Sequence, residues 1–361
     1  MPLRICVTGT RGKSSTVRLI TAVLRENGKK TIAKTTGSEA QYIYPDGTAH
    51  PVKRRGIPSI IEQKQLFEKA AQLHAECVVA EIMSIHPENH SVESQQIIKP
   101  HIVIITNIRP DHIDAMGKTT DEIAAVLALT ITDNAVVFIP EKEIKPPLLT
   151  AITEHRAKLV SVCEGKSAQL IQKYPNITKT IFPEILDIIL TISEYLNIPE
   201  NIILSGIQSA QFDIGAFSVR ECRLNEKQYY FVNAFAANDP QSTAVLLQKT
   251  NELLPPETHT YIGLLNLRAD RADRTIQWIQ ALSDGASGWF KKLFLVGAHT
   301  HIVKRRVQNT QRVKTAPPGR ILEQIFSQTD SETVIFGFGN IGGMGKLIAE
   351  YWNTIGKPYG I

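Results

Sequence analysis

The chain has 361 residues, 43% of them hydrophobic and 21% charged, which is a globular composition, too long for one ordinary core and too apolar for extended disorder. A formal net charge of +5 is modest and argues against a nucleic-acid protein, whose basic footprint is broader. No apolar run reaches membrane-spanning length, since the most hydrophobic helix candidate, 185–198, contains Asp187 and Glu194.

Four cysteines, Cys6, Cys77, Cys163 and Cys222, lie far apart without metal spacing, as expected of reduced core residues in a cytoplasmic protein. No signal peptide is expected, because a glycine-rich motif lies where its apolar segment would be.

In chain order, residues 3–7 read as a short buried strand and 14–27 as a helix with Val17, Leu19, Ile20, Val23 and Leu24 at helical spacing. Between them stands Gly9-Thr10-Arg11-Gly12-Lys13-Ser14-Ser15. Glycines at a strand-to-helix junction let backbone N–H groups converge on phosphate oxygens; the helix N-terminus adds partial positive charge and Lys13 a full one. Ser14 can offer its hydroxyl to Mg2+ between the outer phosphates. The stretch predicts a nucleoside triphosphate site, although it is shorter than the strict phosphate loop. The alternative, a helix capped by Ser14 or Ser15, leaves the lysine and both glycines to coincidence.

Residues 31–36 form a second strand-like run, followed by a polar loop, 37–58, with Pro45-Asp46-Gly47 and Lys53-Arg54-Arg55-Gly56. Its length and position make it a candidate substrate loop for an anion. Solvated loop faces are the commoner explanation for this basic cluster and for Lys304-Arg305-Arg306. A helix at 60–75 leads to a strand, 77–81, ending in Glu81. In nucleotide-binding α/β sheets that strand end arrives at the rim of Lys13 and Ser14, where a carboxylate either holds Mg2+ or pairs with a neighbouring helix. A third continuous run, 102–107, empties into Asn107-Ile108-Arg109-Pro110-Asp111-His112-Ile113-Asp114. A histidine flanked by aspartates fits a metal ligand or a helix cap.

Alternation continues with a helix at 120–131, strands at 135–139 and 158–163, a helix at 183–196 and a hairpin of 217–224 with 229–232. In the segment Asn233 to Pro240, the amides of Asn233 and Asn238 can pair with a purine edge, while Asp239 and Pro240 suit a helix start. Residues 253–257, with Pro255-Pro256, read as a linker between an ATP-binding domain at 1–252 and a C-terminal α/β domain at 257–361. Strands are expected there at 260–265, 293–297 and 333–336. The charged run from Arg268 through Asp270 to Arg274 is either a salt-bridged surface or a clamp for ribose and phosphate. Gly337-Phe338-Gly339-Asn340-Ile341-Gly342 matches a dinucleotide fingerprint, but the second strand and its acid do not follow, so a tight strand–helix turn is expected and no nicotinamide cofactor.

Taken together, Thr8-Gly9-Thr10-Arg11-Gly12-Lys13-Ser14-Ser15, Arg54-Arg55-Gly56-Ile57-Pro58, the stretch from Thr106 through Asp111 and His112 to Met116-Gly117, and Asn233 through Asn238 to Pro240 resemble the motifs of the Mur ligase superfamily. Within it they are most similar to the ligase subunits of poly-γ-glutamate synthases. The resemblance implies an α/β fold with a P-loop-containing Mur ligase-like central domain and a smaller, Rossmann-like C-terminal α/β domain. It implies ATP with Mg2+, or Mn2+ in its place: Gly9, Thr10, Arg11, Gly12, Lys13, Ser14 and Ser15 around the phosphates, Ser14 and Glu81 on one cation, His112 on another, and Asn238, Arg268 and Asp270 on the nucleotide. The implied activity is ATP-dependent amide formation through an acyl phosphate, adding glutamate to a γ-linked polyglutamate. Lys13, Arg11, Arg109 and His112 would neutralise developing charge, and Lys53, Arg54 and Arg55 would guide the polyanion.

The alternatives are a folylpolyglutamate-like or other amino-acid ligase, and a nucleotide-gated binding subunit of a membrane polymer-export complex. Implied partners are the membrane subunits of such a complex, which would hold a cytoplasmic protein at the inner face of the membrane, and a second copy of the chain; nucleic acid is not among them. Two departures bear on the expectation. The UDP-binding domain that peptidoglycan ligases place ahead of the phosphate loop is not seen, so a UDP-linked substrate is not expected. Residues 123–129 contain no lysine where several relatives carry a carbamylated one.

Overall fold

Continuous apolar runs alternating with one-sided helices build two units, Met1–Phe212 and Asp213–Ile361, each around its own sheet. The computed structural model describes every residue except Arg55, Asp111, His112, Thr180, Asp330, Ser331, Gly360 and Ile361.

In the first unit the strands are β1 (Leu3–Thr8), β2 (Thr31–Thr35), β3 (Gln41–Ile43), β4 (Ala49–Pro51), β5 (Cys77–Glu81), β6 (Ile102–Ile105), β7 (Val136–Pro140) and β8 (Lys158–Val162). Their spatial order is β4-β3-β2-β5-β1-β6-β7-β8. From β2 to β8 all neighbours are parallel; β3 and β4 close one edge antiparallel. The helices are α1 (Lys13–Glu26), α2 (Glu62–Gln72), α3 (Pro87–Ser91), α4 (Ile113–Met116), α5 (Thr120–Ala128), α6 (Pro146–Glu154), α7 (Ala168–Lys173), α8 (Pro183–Tyr195) and α9 (Glu200–Ser209), with a π-helical turn at Val92–Ile98. One face of the sheet buries Val7, Val79 and Ile104 with Leu19, Ile20 and Val23 of α1 and Leu186, Ile189 and Ile192 of α8. On the other face, Cys6, Val78 and Ala80 pack with Leu66 of α2, and Val103 and Ile105 with Ile123 and Leu127 of α5. Each central strand is thus covered on both sides, the reason its sequence is an unbroken apolar run.

The expected loop at 37–58 is corrected here: it folds back as the β3–β4 hairpin. Pro45-Asp46-Gly47 makes the turn, with the Asp46 carboxylate accepting from Thr48 N at 2.9 Å and Gly47 N donating to Tyr44 O at 2.9 Å. Tyr42 and Ile43 are buried, and so hold the hairpin to the sheet. Cys163 is a second correction. It is exposed just beyond β8, while Cys6, Cys77 and Cys222 are buried as expected and all four are free thiols.

The second unit contains β9 (Ser218–Leu224), β10 (Lys227–Asn233), β11 (Thr260–Leu267), β12 (Lys292–Gly297), β13 (Thr310–Arg312), β14 (Thr333–Phe338) and β15 (Lys357–Pro358), in the order β13-β12-β11-β14-β10-β9-β15. Its helices are α10 (Pro240–Leu253), α11 (Ala272–Ser283), α12 (Thr300–Arg306), α13 (Pro318–Phe326) and α14 (Met344–Ile355). The division of the chain therefore lies at 212–213 and not at 252–257. The hairpin β9–β10 belongs to the second sheet because β10 pairs in parallel with β14, from Tyr229↔Thr333 to Asn233↔Gly337. Pro255-Pro256 only connects α10 to β11 inside that unit, where the Tyr261 hydroxyl donates to Leu254 O at 2.5 Å. Among the described residues no helix is long and apolar enough to cross a membrane.

Candidate active site

The strands β5, β1 and β6 are adjacent and parallel, with Val7 level with both Glu81 and Ile104, so their carboxyl ends open on one rim. The chain leaves β1 through Gly9 and Gly12 and turns directly into α1. Gly9 has φ +122°, and a Cβ there would stand 2.2 Å from Thr106 Oγ1 and 3.0 Å from Thr106 N. Only glycine lets the backbone pass so close to the end of β6. Gly12, at φ +80°, is the N-cap of α1, and among the described residues no side chain caps the helix. Neither Ser14 nor Ser15 adopts the capping role weighed from the sequence, and the first-turn N–H groups face the rim with the positive end of a 14-residue helix behind them.

The loop is clamped by the residues that follow β6. Asn107 Oδ1 accepts from Thr10 Oγ1 (2.6 Å) and Arg11 N (2.9 Å), while its Nδ2 donates to Arg11 O (3.1 Å). Thr106 Oγ1 donates to Arg11 O at 2.7 Å, Thr10 N to Asn107 O at 3.1 Å, and Arg109 N to Thr10 Oγ1 at 3.1 Å. Lys13 Nζ curls over the loop, donating to Gly9 O at 2.7 Å and Thr10 O at 3.5 Å. Arg109 is exposed beside it and Arg11 half-buried.

Glu81 is 2% exposed. Its Oε2 accepts from Ser14 Oγ (2.8 Å) and from Thr36 N, just past β2 (2.8 Å); its Oε1 has no hydrogen bond among the described residues. An open oxygen on a largely buried carboxylate, beside a serine hydroxyl, is a hard donor set. It fits Mg2+ or Mn2+, which take one or two protein oxygens and complete their shell with phosphates and water. No group of three histidines, cysteines or carboxylates gathers among the described residues. His112 and Asp111, expected at this rim, and Arg55, expected in the substrate loop, lie outside the described residues. Asp114, on α4, is exposed.

A second layer supports the rim, and of its residues only Arg54 was marked out by the sequence. Glu93, fully buried, accepts from Gln63 Nε2 (2.6 Å), Met83 N (3.1 Å), Ser84 N (3.0 Å) and Ser84 Oγ (2.5 Å). The same Gln63 amide donates to Glu81 O at 2.9 Å. Its neighbour Glu62, 7% exposed, takes a bidentate pair from Arg54 (2.7 and 3.1 Å) and lies 3.2 Å from Lys34 Nζ, which is 0% exposed. Burial lowers the Lys34 pKa, an effect that Glu62 only partly offsets. Burial raises the Glu62 pKa, but Arg54 and Lys34 outweigh it and leave the carboxyl below its ordinary value. Lys34 balances Glu62 from beneath, so the triad keeps one net positive charge and Arg54 is fixed without being neutralised. Lys53 is exposed next to it. A lysine inside an apolar strand was the available signal for this pair.

Nearby, His90 is 1% exposed, with Nδ1 3.2 Å from Ser84 O and Nε2 2.7 Å from Thr130 Oγ1. A carbonyl can only accept, so Nδ1 carries the proton and Nε2 accepts from the threonine. Burial pushes the ring's pKa down to about 4, keeping it neutral.

In the second unit the carboxyl ends of β10, β14 and β11 form a rim of their own. Asn266 Nδ2 donates to Asn340 O (2.6 Å) and Gly342 O (3.0 Å), and a Cβ on Gly342 would stand 2.3 Å from Arg268 Nη1. The glycine-rich segment after β14 is thereby a tight strand–helix turn, as the sequence indicated. Arg268 holds Asp270 through two bonds of 2.8 and 2.7 Å, and its hydrogen bonds lower the pKa of that carboxyl. Asn233 spends its amide on Ile214 O (2.7 Å) and Ala216 O (3.2 Å) and is not presented to a ligand. Asn238 is half-buried ahead of the α10 cap, where Asp239 accepts from Ser242 N at 2.8 Å.

Comparison with known proteins agrees with this layout. The Mur ligase middle domain matches residues 7–198, and the poly-gamma-glutamate synthase CapB C-terminal domain matches 219–355. PGA synthase CapB of Bacillus subtilis is 30% identical over 97% of this chain and 90% of its own length. The capsule biosynthesis protein CapB of Bacillus anthracis is 33% identical over 77% of this chain and 60% of its own. A solved folylpolyglutamate synthase/dihydrofolate synthase from Yersinia pestis, complexed with AMPPNP and Mn ion, superposes with a TM-score of 0.69 over 98% of this chain and 88% of that one, at 13% identity, a likeness of fold. The chain belongs to the Mur ligase superfamily and, within it, to the CapB family of poly-gamma-glutamate synthases.

Proposed function

We propose that the chain is an ATP-dependent amide ligase that adds glutamate to a γ-linked polyglutamate. The observation that carries this reading is the Ser14–Glu81 pair, set beside the glycine-led start of α1 with one carboxylate oxygen open among the described residues. A substrate carboxylate takes the γ-phosphoryl group of ATP, giving an acyl phosphate and ADP. An amine then attacks its carbonyl carbon, and phosphate leaves through a tetrahedral intermediate as the amide forms.

Gly9, Gly12 and Ser15 present backbone N–H groups to the phosphates, Thr10 braces the loop through its bonds to Asn107, and Lys13, Arg11 and Arg109 neutralise charge as the carboxylate and phosphate, which repel each other, are brought together. Ser14 and Glu81 hold the divalent cation, which, when bound, screens the phosphate oxygens. His112 is assigned a second cation on the family pattern alone. Asn238, Arg268 and Asp270 are assigned to the nucleotide, and Lys53, Arg54 and Arg55 to the anionic acceptor, with Arg54 held in place by Glu62. Membrane subunits that receive the polymer, and a second copy of the chain, are the partners this reading implies.

The test is mass spectrometry of products from ATP, Mg2+ or Mn2+, glutamate and a short γ-glutamyl acceptor. Products longer by one glutamyl unit, with one ADP for each, are expected, and Lys13→Ala should abolish ADP release without unfolding the chain. ATP turnover with no amide product would indicate a nucleotide-gated binding subunit instead. Stimulation by a folate-type acceptor alone would indicate a folylpolyglutamate-like ligase.

A further inference from the structure

Lys304-Arg305-Arg306 has no part in the site described above. From Gly285 to Leu322 the chain carries eight lysines and arginines and not one aspartate or glutamate. The rest of the sequence then holds more acids than bases, 35 against 32, so the whole positive balance of the protein resides in this one segment.

The fold lays that segment along one sheet edge. β13 is the outermost strand, paired in parallel with β12 from Leu293↔Thr310 to Leu295↔Arg312. α12 packs beside it through Val303, which is 0% exposed, and Arg312 Nε donates to Thr300 Oγ1 at 3.0 Å, tying the strand to the helix start. Lys304, Arg305 and Arg306 are exposed on the helix, Arg312 and Lys314 on the strand either side of buried Val313. None of these five side chains has an acidic partner among the described residues.

Complementing the helix dipole would account for the last-turn cations, and guarding an edge strand for one or two on β13. Neither accounts for the removal of every acid over the whole segment. Between residues 285 and 322 no large apolar side chain is exposed, so the surface lacks the wedge of a membrane-inserting element and the stacking platform of a nucleic-acid binder.

We propose that this edge, formed by α12, β13 and the turn after it, is a binding surface for the γ-linked polyglutamate chain, a flexible polymer with one free carboxylate per residue. The inference rests on the ligase reading above. Many weak contacts along such a chain add as multivalent binding and raise the local concentration of its end, so the growing polymer stays with the enzyme between additions.

The experiment measures fluorescence anisotropy of end-labelled poly-γ-glutamate with the full chain over a range of NaCl concentrations. The variants are Lys304→Gln/Arg305→Gln/Arg306→Gln and, separately, Arg312→Gln/Lys314→Gln. Affinity should fall steeply with salt in the native protein. Each variant should bind at least about tenfold more weakly with a shallower salt slope, make shorter products, and keep native kcat with a γ-glutamyl dimer. Unchanged polymer affinity and salt slope in both variants would overturn the proposal, as would tighter binding of oligothymidylate of matched length or of acidic phospholipid vesicles than of the polymer. Patch-dependent polymer binding in a protein that forms no amide would support the surface while removing the ligase reading.

Discussion

Replacing Glu62 with glutamine keeps the side chain's shape and strands Lys34, whose ammonium lies 3.2 Å from Glu62 Oε2 in a strand where the lysine is 0% exposed. Removing one member of a buried ion pair costs about 3–5 kcal/mol. Losing the more exposed Arg54 partner adds about 0–1 kcal/mol. Burial already lowers the Lys34 pKa and the lost carboxylate no longer offsets it, so a loss of about 3 kcal/mol is expected near neutral pH. The folded-state pKa then lies further below the unfolded value, so the unfolded chain binds the extra proton and the deficit shrinks as pH rises. All three tryptophans, Trp278, Trp289 and Trp352, belong to the second unit. Urea unfolding of the first unit is therefore followed by far-UV circular dichroism, with tryptophan emission reporting the second unit in the same sample. Lys34→Met/Glu62→Gln strands no charge and should recover at least about 2 kcal/mol relative to Glu62→Gln. A single-variant loss under about 1 kcal/mol, or a double variant no more stable than the single, would show that the pair does not hold this region as argued.

Gly9→Ala, forcing a Cβ to 2.2 Å from Thr106 Oγ1 at φ +122°, should weaken ADP binding more than about tenfold and destabilise the first unit by about 2 kcal/mol; calorimetric titration and thermal unfolding check the two parts. Asn107→Ala removes three hydrogen bonds to Thr10 and Arg11 and should raise the KM for ATP about tenfold while the unit stays folded; steady-state ADP release reads the change. His90, with its pKa lowered to about 4 from an ordinary 6.5, contributes stability that is full above pH 6.5 and is lost as pH falls towards 4, on the order of 3 kcal/mol in all. His90→Gln should flatten the stability profile in that window, as measured by urea unfolding at a series of pH values.

What could be read in the sequence was what neighbouring residues encode together. The phosphate loop, the strand ending at Glu81 and the apolar run ahead of Asn107 each announce themselves within a few positions, and the parallel sheet sets them on one rim. The turn at 337–342 was legible for the same reason. What escaped depends on residues far apart. The second unit begins at 213 because Tyr229 pairs with Thr333, a partnership that no local pattern reveals and that the Pro255-Pro256 pair obscures. The β3–β4 hairpin is held by burial of Tyr42 and Ile43 against the sheet, where its turn-rich composition suggested an open loop. Lys34, Glu62 and Arg54 come from a strand, a helix start and a loop, and only the folded chain brings them together.

Glu62 and Gln63 stand side by side at the start of α2 and reach in opposite directions, one to the guanidinium of Arg54, the other to the backbone of Glu81 and the carboxylate of Glu93. Adjacent positions of one helical turn thus tie the basic loop and the strand that ends in Glu81 to a common anchor. A substitution that displaces the start of α2 is therefore expected to disturb Arg54 and the backbone of Glu81 together.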